Sequence, residues 1–305
     1  MARPPRGRKR GVGGSESVNI MGNVQVAPEL EPADHAAESV FANLPEADLS
    51  PGELADFERD GLLRLGRVVT SGELAGLRQR IDQIMLGEVS YPDMLMQLDS
   101  DTGRYEDAPE QTTGFKGATL SYRKIEQLER DPRFLRYLQK PLFRAIARRF
   151  IGPDVTAYRS MFMNKPAHQG TLLPWHQDGG ENWGLDRDPP ITLWLALDDA
   201  TRENGCVEVV PGTHRLGLLS ARGHTITEEQ AVRHCSVGAV HLELLAGECV
   251  LLHNFLLHRS GRNDTPRPRR AFSVCLMDAR TRIKHAPSTT FPQIFGEGAL
   301  TACGT

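Results

Sequence analysis

From Val155 onward the chain breaks into short β-forming runs separated by turn residues: "VTAYRSMFMN", "ITLWLALD", "CVEVVP", "AVHLELL", "CVLLH" and "AFSVCLMD". Runs of this length, rich in branched and aromatic side chains and punctuated by Gly, Pro, Asn and Asp, leave little choice but a mainly β domain. Because helical patterns precede them, the expected fold is a β-sandwich or jelly roll flanked by N-terminal helices. The helices announce themselves through their caps. "LSPGELADFERDGLLRLGRVV" predicts a short helix and then an extended segment ending near Val69. Thr70 and Glu73 form a T-x-x-E capping box, which opens a helix with Leu74, Leu77, Ile81 and Ile84 on one stripe. Asp131-Pro132 starts another, Pro141 divides that region, and Gly152-Pro153 ends it.

Two stretches fall outside this pattern. Residues 1 to 48 are rich in Pro, Gly and Glu without periodicity, and predict a disordered tail. Its basic start, "MARPPRGRKRGVGG", reads as a solvated extension or as an arm for nucleic acid or membrane, and no apolar segment follows it as a secretory signal requires. Gly87 to Thr119 predicts a long acidic loop, either a lid or a surface insertion, carrying Asp93, Asp99, Asp101, Glu106, Asp107 and Glu110.

At 305 residues, 39% of them hydrophobic, the chain can bury a substantial core. A net charge of −3 argues against a dedicated nucleic-acid binder, and no apolar run approaches the roughly 18 to 20 residues of a membrane-spanning helix. The five cysteines are scattered and lack any C-x-x-C pair, which suits a soluble protein of the reducing cytoplasm. P-loop, G-x-G-x-x-G and G-x-S-x-G patterns are missing, so phosphate-cradle, dinucleotide and serine-hydrolase chemistry lose support.

The chemistry is carried by "LPWHQDGG", residues 173 to 180. On a strand, side chains two apart share a face, so His176 and Asp178 can converge on one metal ion. A third ligand is needed. "CVLLHNFLLHRSGRNDTPRPRRAF" offers His253 and His258, which lie five apart and would face opposite ways on a continuous strand, so that one of them completes the set. Two histidines and one carboxylate on one side of a metal make the facial triad of non-haem iron oxygenases, and the same donors also suit catalytic zinc.

From about Phe57 to Met277 the chain resembles the phytanoyl-CoA dioxygenase family of iron(II)- and 2-oxoglutarate-dependent oxygenases. The likeness rests on "NKP" at 164 to 166, "HQD" at 176 to 178, Trp194, "NGCVEVVPGTH" at 204 to 214 and "HRSGRNDTPRPRRAF" from 258. It implies a double-stranded β-helix, a cupin-like jelly-roll core over about 153–280 within a single domain of 49–305. It selects His258 as the third ligand beside His176 and Asp178, since that family's distal histidine precedes an S-x-x-N run, here Ser260 and Asn263, and an arginine, here Arg269. It leaves His253 as a supporting or core residue, and His214 of "PGTH" as part of a scaffold turn. Arg269 is implied to bind the far carboxylate of 2-oxoglutarate through paired charge-assisted hydrogen bonds, with Arg270 pointing away. Ser260, Trp194 and Lys124 of "SYRKIEQL" are implied to lie near the co-substrate; the plain alternatives are a core tryptophan and an exposed helical lysine.

The implied reaction spends O₂ and 2-oxoglutarate to oxidise a positioned C–H bond. Asp178 stands where related halogenases carry Gly or Ala, so hydroxylation is the default outcome, with desaturation or ring closure open to the same residues. A zinc hydrolase would need no anchor such as Arg269, and a non-catalytic jelly roll would be expected to have lost a ligand. An acyl-CoA hydroxylase of the phytanoyl type would want an apolar tunnel. The acids of 87 to 119, with Glu181 and Asp186, instead suggest a polar and cationic small-molecule substrate, such as an amino sugar or amino-acid derivative.

Overall fold

The computed structural model describes residues 48–220 and 222–302, so the tail expected over 1 to 48 lies, apart from Asp48, outside the described residues, as does Cys303. The first helix, Pro51–Asp60, is closed by a capping box: Ser50 accepts from the Glu53 amide while the Glu53 carboxylate takes the Ser50 N–H. Thr70 and Glu73 do the same for Ser71–Leu86, which buries Leu74, Leu77, Ile81 and Ile84. Helix Pro132–Leu138 starts on Asp131, and Pro141–Phe150 follows directly. A fifth helix, Glu228–Cys235, is opened by a Thr227/Gln230 capping box that the hydrophobic pattern did not flag, because its one buried residue is Cys235.

Two antiparallel sheets make the body. The larger runs Leu62–Arg67, Glu248–His253, Ile191–Ala196, Arg269–Asp278, Val155–Lys165, Tyr122–Glu126, Leu95–Leu98 and Thr112–Thr113, with Gln293–Phe295 also pairing to Val155–Lys165. The smaller runs Val240–Leu242, Val207–Val209, His258–Ser260, Leu173–Gln177 and His224–Thr225. The order crosses repeatedly between sheets, as in a jelly roll, and the expected mainly β, cupin-like fold is the one observed.

Alternation along Arg269–Asp278 divides the interior. Phe272, Val274 and Leu276 join Phe134, Tyr137 and Phe143 in the core between the large sheet and the helices. Ala271 joins Trp194, Val207, Val209 and Leu252 in a second core between the sheets. Two expectations need correction. Gly87 to Thr119 is no plain loop: Leu95–Leu98 and Thr112–Thr113 extend the large sheet, and Met94 and Met96 are fully buried under the helices. "SYRKIEQL" is strand and not helix, because Tyr122 and Ile125 must reach the core while Lys124, opposite Met163, faces the space between the sheets.

Candidate active site

The register of the two sheets assembles the site. His258 pairs directly opposite His176, so both imidazoles leave the small sheet on one side. Their ring centroids lie 3.9 Å apart, and His258 Nε2 is 3.8 Å from Asp178 Oδ2. Asp178 falls just past the end of its strand, where its amide donates to Asn254 O at 2.8 Å. Each histidine donates Nδ1–H to a carbonyl two residues back, His176 to Pro174 at 2.7 Å and His258 to Leu256 at 2.9 Å. A carbonyl only accepts, so the tautomer is fixed and both Nε2 lone pairs are free for a metal. Burial, reinforced by His258 and His224, holds the His176 pKa well below the ordinary histidine value and keeps it neutral.

His253 and His258 are not separated by strand parity, contrary to expectation. The strand carrying His253 ends, and a turn intervenes before His258 begins a strand of the other sheet, so the face-parity argument never applied. Its Nδ1 accepts from the Phe255 amide at 3.0 Å, and burial lowers its pKa to about 4. A neutral imidazole with Nδ1 so engaged carries its proton on Nε2 and has no lone pair left to offer. His214 holds the scaffold as expected, with Nε2 3.2 Å from Glu58 O.

Across a cavity of about 70 Å³ stands the inner face of the large sheet. Arg269 pairs with Lys165, and Trp194 with Ser273, which puts these side chains on one side. Arg269 is 2% exposed, its guanidinium lies 5.6 Å from the Trp194 ring centre, and its Nε and Nη1 are buried with no hydrogen-bond partner. Burial draws its pKa down to about 10, so it remains a cation at neutral pH. Arg270 points the opposite way, as expected, into ion pairs with Asp198 at 2.8 Å and Asp82 at 2.6 Å. Trp194 is therefore both core and cavity wall. Ser260 lines the cavity two residues beyond His258, and Asn263 ties that turn down by donating to the carbonyls of Lys165, Pro166 and Arg267. Lys124 also lines the cavity, its pKa pulled down to about 7 by burial and by Arg123 and Arg159.

Two ionisable cavity residues escaped the sequence reading, His224 and Arg159. Neither lies in a motif; the first arrives by strand pairing next to Gln177 and the second by alternation from Met161 and Met163. Four of the acids behind the cationic-substrate expectation have partners outside the cavity. Asp99 accepts from the Gly170 and Thr171 amides, Asp107 from the Thr102 hydroxyl, Asp186 from the Arg282 amide, and Asp93 pairs with Arg130. Among the described residues Asp178 is the one carboxylate lining the cavity, against Lys124, Arg159, Arg259 and Arg269. The cavity lining is therefore mainly basic.

Comparison with known proteins agrees with this geometry. The family model for phytanoyl-CoA dioxygenase matches residues 57–271. The chain belongs to that family. It is a 2-oxoglutarate-dependent dioxygenase using iron(II), 2-oxoglutarate and O₂, which sets aside the zinc-hydrolase and non-catalytic readings. It is 29% identical over 243 residues to a probable phytanoyl-CoA dioxygenase of Caenorhabditis elegans, covering 74% of each chain. Against the peroxisomal phytanoyl-CoA dioxygenase of Homo sapiens it is 28% identical over 233 residues, covering 71% of this chain and 65% of the human one. A solved structure of EctD from S. alaskensis with 2-oxoglutarate and 5-hydroxyectoine shares the fold, with a TM-score of 0.61, 23% identity, and 90% and 92% of the two chains covered. No described helix is long and apolar enough to cross a membrane.

Proposed function

We propose that residues 49–305 act as one catalytic domain that hydroxylates a polar small molecule, with His176, Asp178 and His258 holding the iron. The observation that carries the reading is the buried, unpartnered guanidinium of Arg269 facing the His/Asp cluster. A buried donor without a partner costs about 1–3 kcal/mol, and a carboxylate satisfies two such donors at once. Arg269 is thus the seat for the distal carboxylate of 2-oxoglutarate, with the Ser260 hydroxyl beside it and Trp194 as its floor. Lys124 neutralises the remaining charge of the dianion. With iron and 2-oxoglutarate bound, O₂ would be the oxidant: one oxygen atom would go into succinate as 2-oxoglutarate loses CO₂, and the other would oxidise the substrate. The protein residues fix where the target C–H bond sits and keep water away from it.

The substrate wall follows from the same lining. Arg159 is partly exposed, 3.9 Å from Glu126, and lies 5.2 Å from the centres of both the Tyr158 and Trp183 rings. A cation held on aromatic faces at the cavity edge favours a substrate bearing a carboxylate or a similar acid. A phytanoyl-type acyl chain would meet charged groups here. The test is a panel of small acids, amines and fatty acyl thioesters, scored by substrate-stimulated succinate formation. Stimulation by acids, lost in Arg159→Gln, is expected; stimulation by amines alone would refute the assignment.

A further inference from the structure

His224 is given no part by either the H-x-D pair or the S-x-x-N run, yet its ring centre lies 4.7 Å from that of His176. Strand register alone would not put it there. His224 pairs with Gln177 and Thr225 with His176, so extended geometry would send the His224 side chain to the face away from His176. The backbone at His224 is instead left-handed, with φ of 73°, and this turns the imidazole onto the metal side. The segment is also pressed against the residues that follow Asp178. A Cβ on Gly223 would meet Gly179 O at 2.0 Å, one on Gly180 would meet Gly223 Cα at 2.6 Å, and the Asn182 amide donates to Arg222 O at 2.9 Å. The paired glycines after H-x-D are there to admit this segment.

His176, Asp178 and His224 each offer a ligand atom, and the three atoms all lie within 4.8 Å of one another. Ligands about 2.0–2.2 Å from a shared metal stand at most roughly 4.4 Å apart, so side-chain shifts of a few tenths of an ångström close the set. His224 Nε2 has an alternative partner, Tyr105 Oη at 3.1 Å, whose ring lies 5.2 Å from the Arg123 guanidinium. An octahedral metal with three protein ligands has three open positions, two for a chelating 2-oxo acid and one for O₂. A fourth protein ligand cannot stay while all three are used.

We propose that His224 is a fourth protein ligand of the metal in the absence of 2-oxoglutarate, displaced when the co-substrate chelates and then held by Tyr105. The proposal rests on the ligand set given above. It makes the metal less open to O₂ until co-substrate arrives. The test uses Co(II) as the probe, titrated anaerobically into metal-free full-length protein and followed by its visible absorption. The variants are His224→Asn, since asparagine tolerates a left-handed backbone, Tyr105→Phe and His258→Ala. Without 2-oxoglutarate, His224→Asn is expected to bind Co(II) on the order of tenfold more weakly, with an altered spectrum. With saturating 2-oxoglutarate its spectrum should match wild type. Tyr105→Phe should keep the wild-type spectrum without 2-oxoglutarate and bind 2-oxoglutarate more weakly. Equal affinities and superimposable spectra without co-substrate would overturn the proposal, as would a difference that persists with it, since His224 would then be a permanent ligand. Unchanged Co(II) binding in His258→Ala would count against the ligand set itself.

Discussion

Replacing Arg269 with methionine should move stability and co-substrate affinity in opposite directions. In the protein without 2-oxoglutarate, Nε and Nη1 of Arg269 are buried and unpaired, and the residue is 2% exposed. Unsatisfied buried donors cost about 1–3 kcal/mol, whereas the contact with the Trp194 ring returns about 0.5–2 kcal/mol. Methionine fills similar volume without that penalty, so the metal-free variant should be more stable by roughly 1–2 kcal/mol, or about 2–8 °C in Tm. Truncating one partner of a buried charge pair costs about 2–5 kcal/mol of binding, so 2-oxoglutarate affinity should fall by roughly thirty-fold to several thousand-fold. Thermal melts of the metal-free protein and anaerobic titration of the Fe(II)·2-oxoglutarate charge-transfer band measure the two effects. A structural arginine would lose stability on replacement. Wild-type 2-oxoglutarate affinity in Arg269→Met would refute the reasoning.

His176→Ala, Asp178→Ala and His258→Ala should each abolish 2-oxoglutarate turnover with the fold retained by circular dichroism, while His253→Ala should keep turnover and lose about 1 kcal/mol of stability from the orphaned Phe255 amide. Lys124 has a folded pKa of about 7, below its unfolded value, so the unfolded chain binds more protons between roughly pH 7 and 10.4. Stability should therefore rise with pH across that window in wild type and not in Lys124→Met, as followed by denaturant melts. Because a dianion favours the charged lysine, 2-oxoglutarate binding above pH 7 should take up a proton, seen as a buffer-dependent binding heat that disappears in Lys124→Met. Asn263→Ala removes a fully buried side chain that donates to three carbonyls, and should cost about 2–4 kcal/mol in chemical denaturation while leaving the metal ligands intact.

The caps were legible because they are local: Ser50/Glu53, Thr70/Glu73 and Asp131-Pro132 each fix a helix start within four residues. The strand carrying Arg269 was legible through motif and alternation together, whereas His258 was legible by motif alone, its own short strand being unread. What the sequence hid depends on tertiary pairing. Leu95–Leu98 is only four residues long, and Tyr122–Glu126 turns the polar Lys124 to the cavity, so neither shows the apolar alternation that marks a strand. The acids of 87 to 119 looked like a binding surface because a sequence does not show which carboxylates already have partners; Asp99 is consumed in holding the Gly170-Thr171 turn. His224 was invisible because nothing in its own neighbourhood marks the left-handed turn that aims it.

Arg269 and Arg270 show how one strand separates scaffold from chemistry. Alternation sends Arg270 outward, where Asp198 and Asp82 satisfy it and Arg78 shares Asp198 at 3.2 Å. It sends Arg269 inward to a wall that already holds Lys165, whose Nζ donates to Thr171 O at 2.7 Å and whose pKa burial and Arg269 hold well below the ordinary lysine value. A buried guanidinium beside an amine whose charged form burial already disfavours costs the fold stability, and an apolar pair would pack there at less cost. The expense makes sense only if a ligand brings the compensating charge. A 2-oxo acid with one carboxylate could reach the His/Asp cluster but would leave Arg269 unpaired, whereas a dicarboxylate answers both ends of the cavity. With Arg269 as the proposed seat, preference for 2-oxoglutarate over shorter 2-oxo acids should reside in the large sheet, and Arg269→Met should narrow it while leaving the proposed metal ligands of the small sheet untouched.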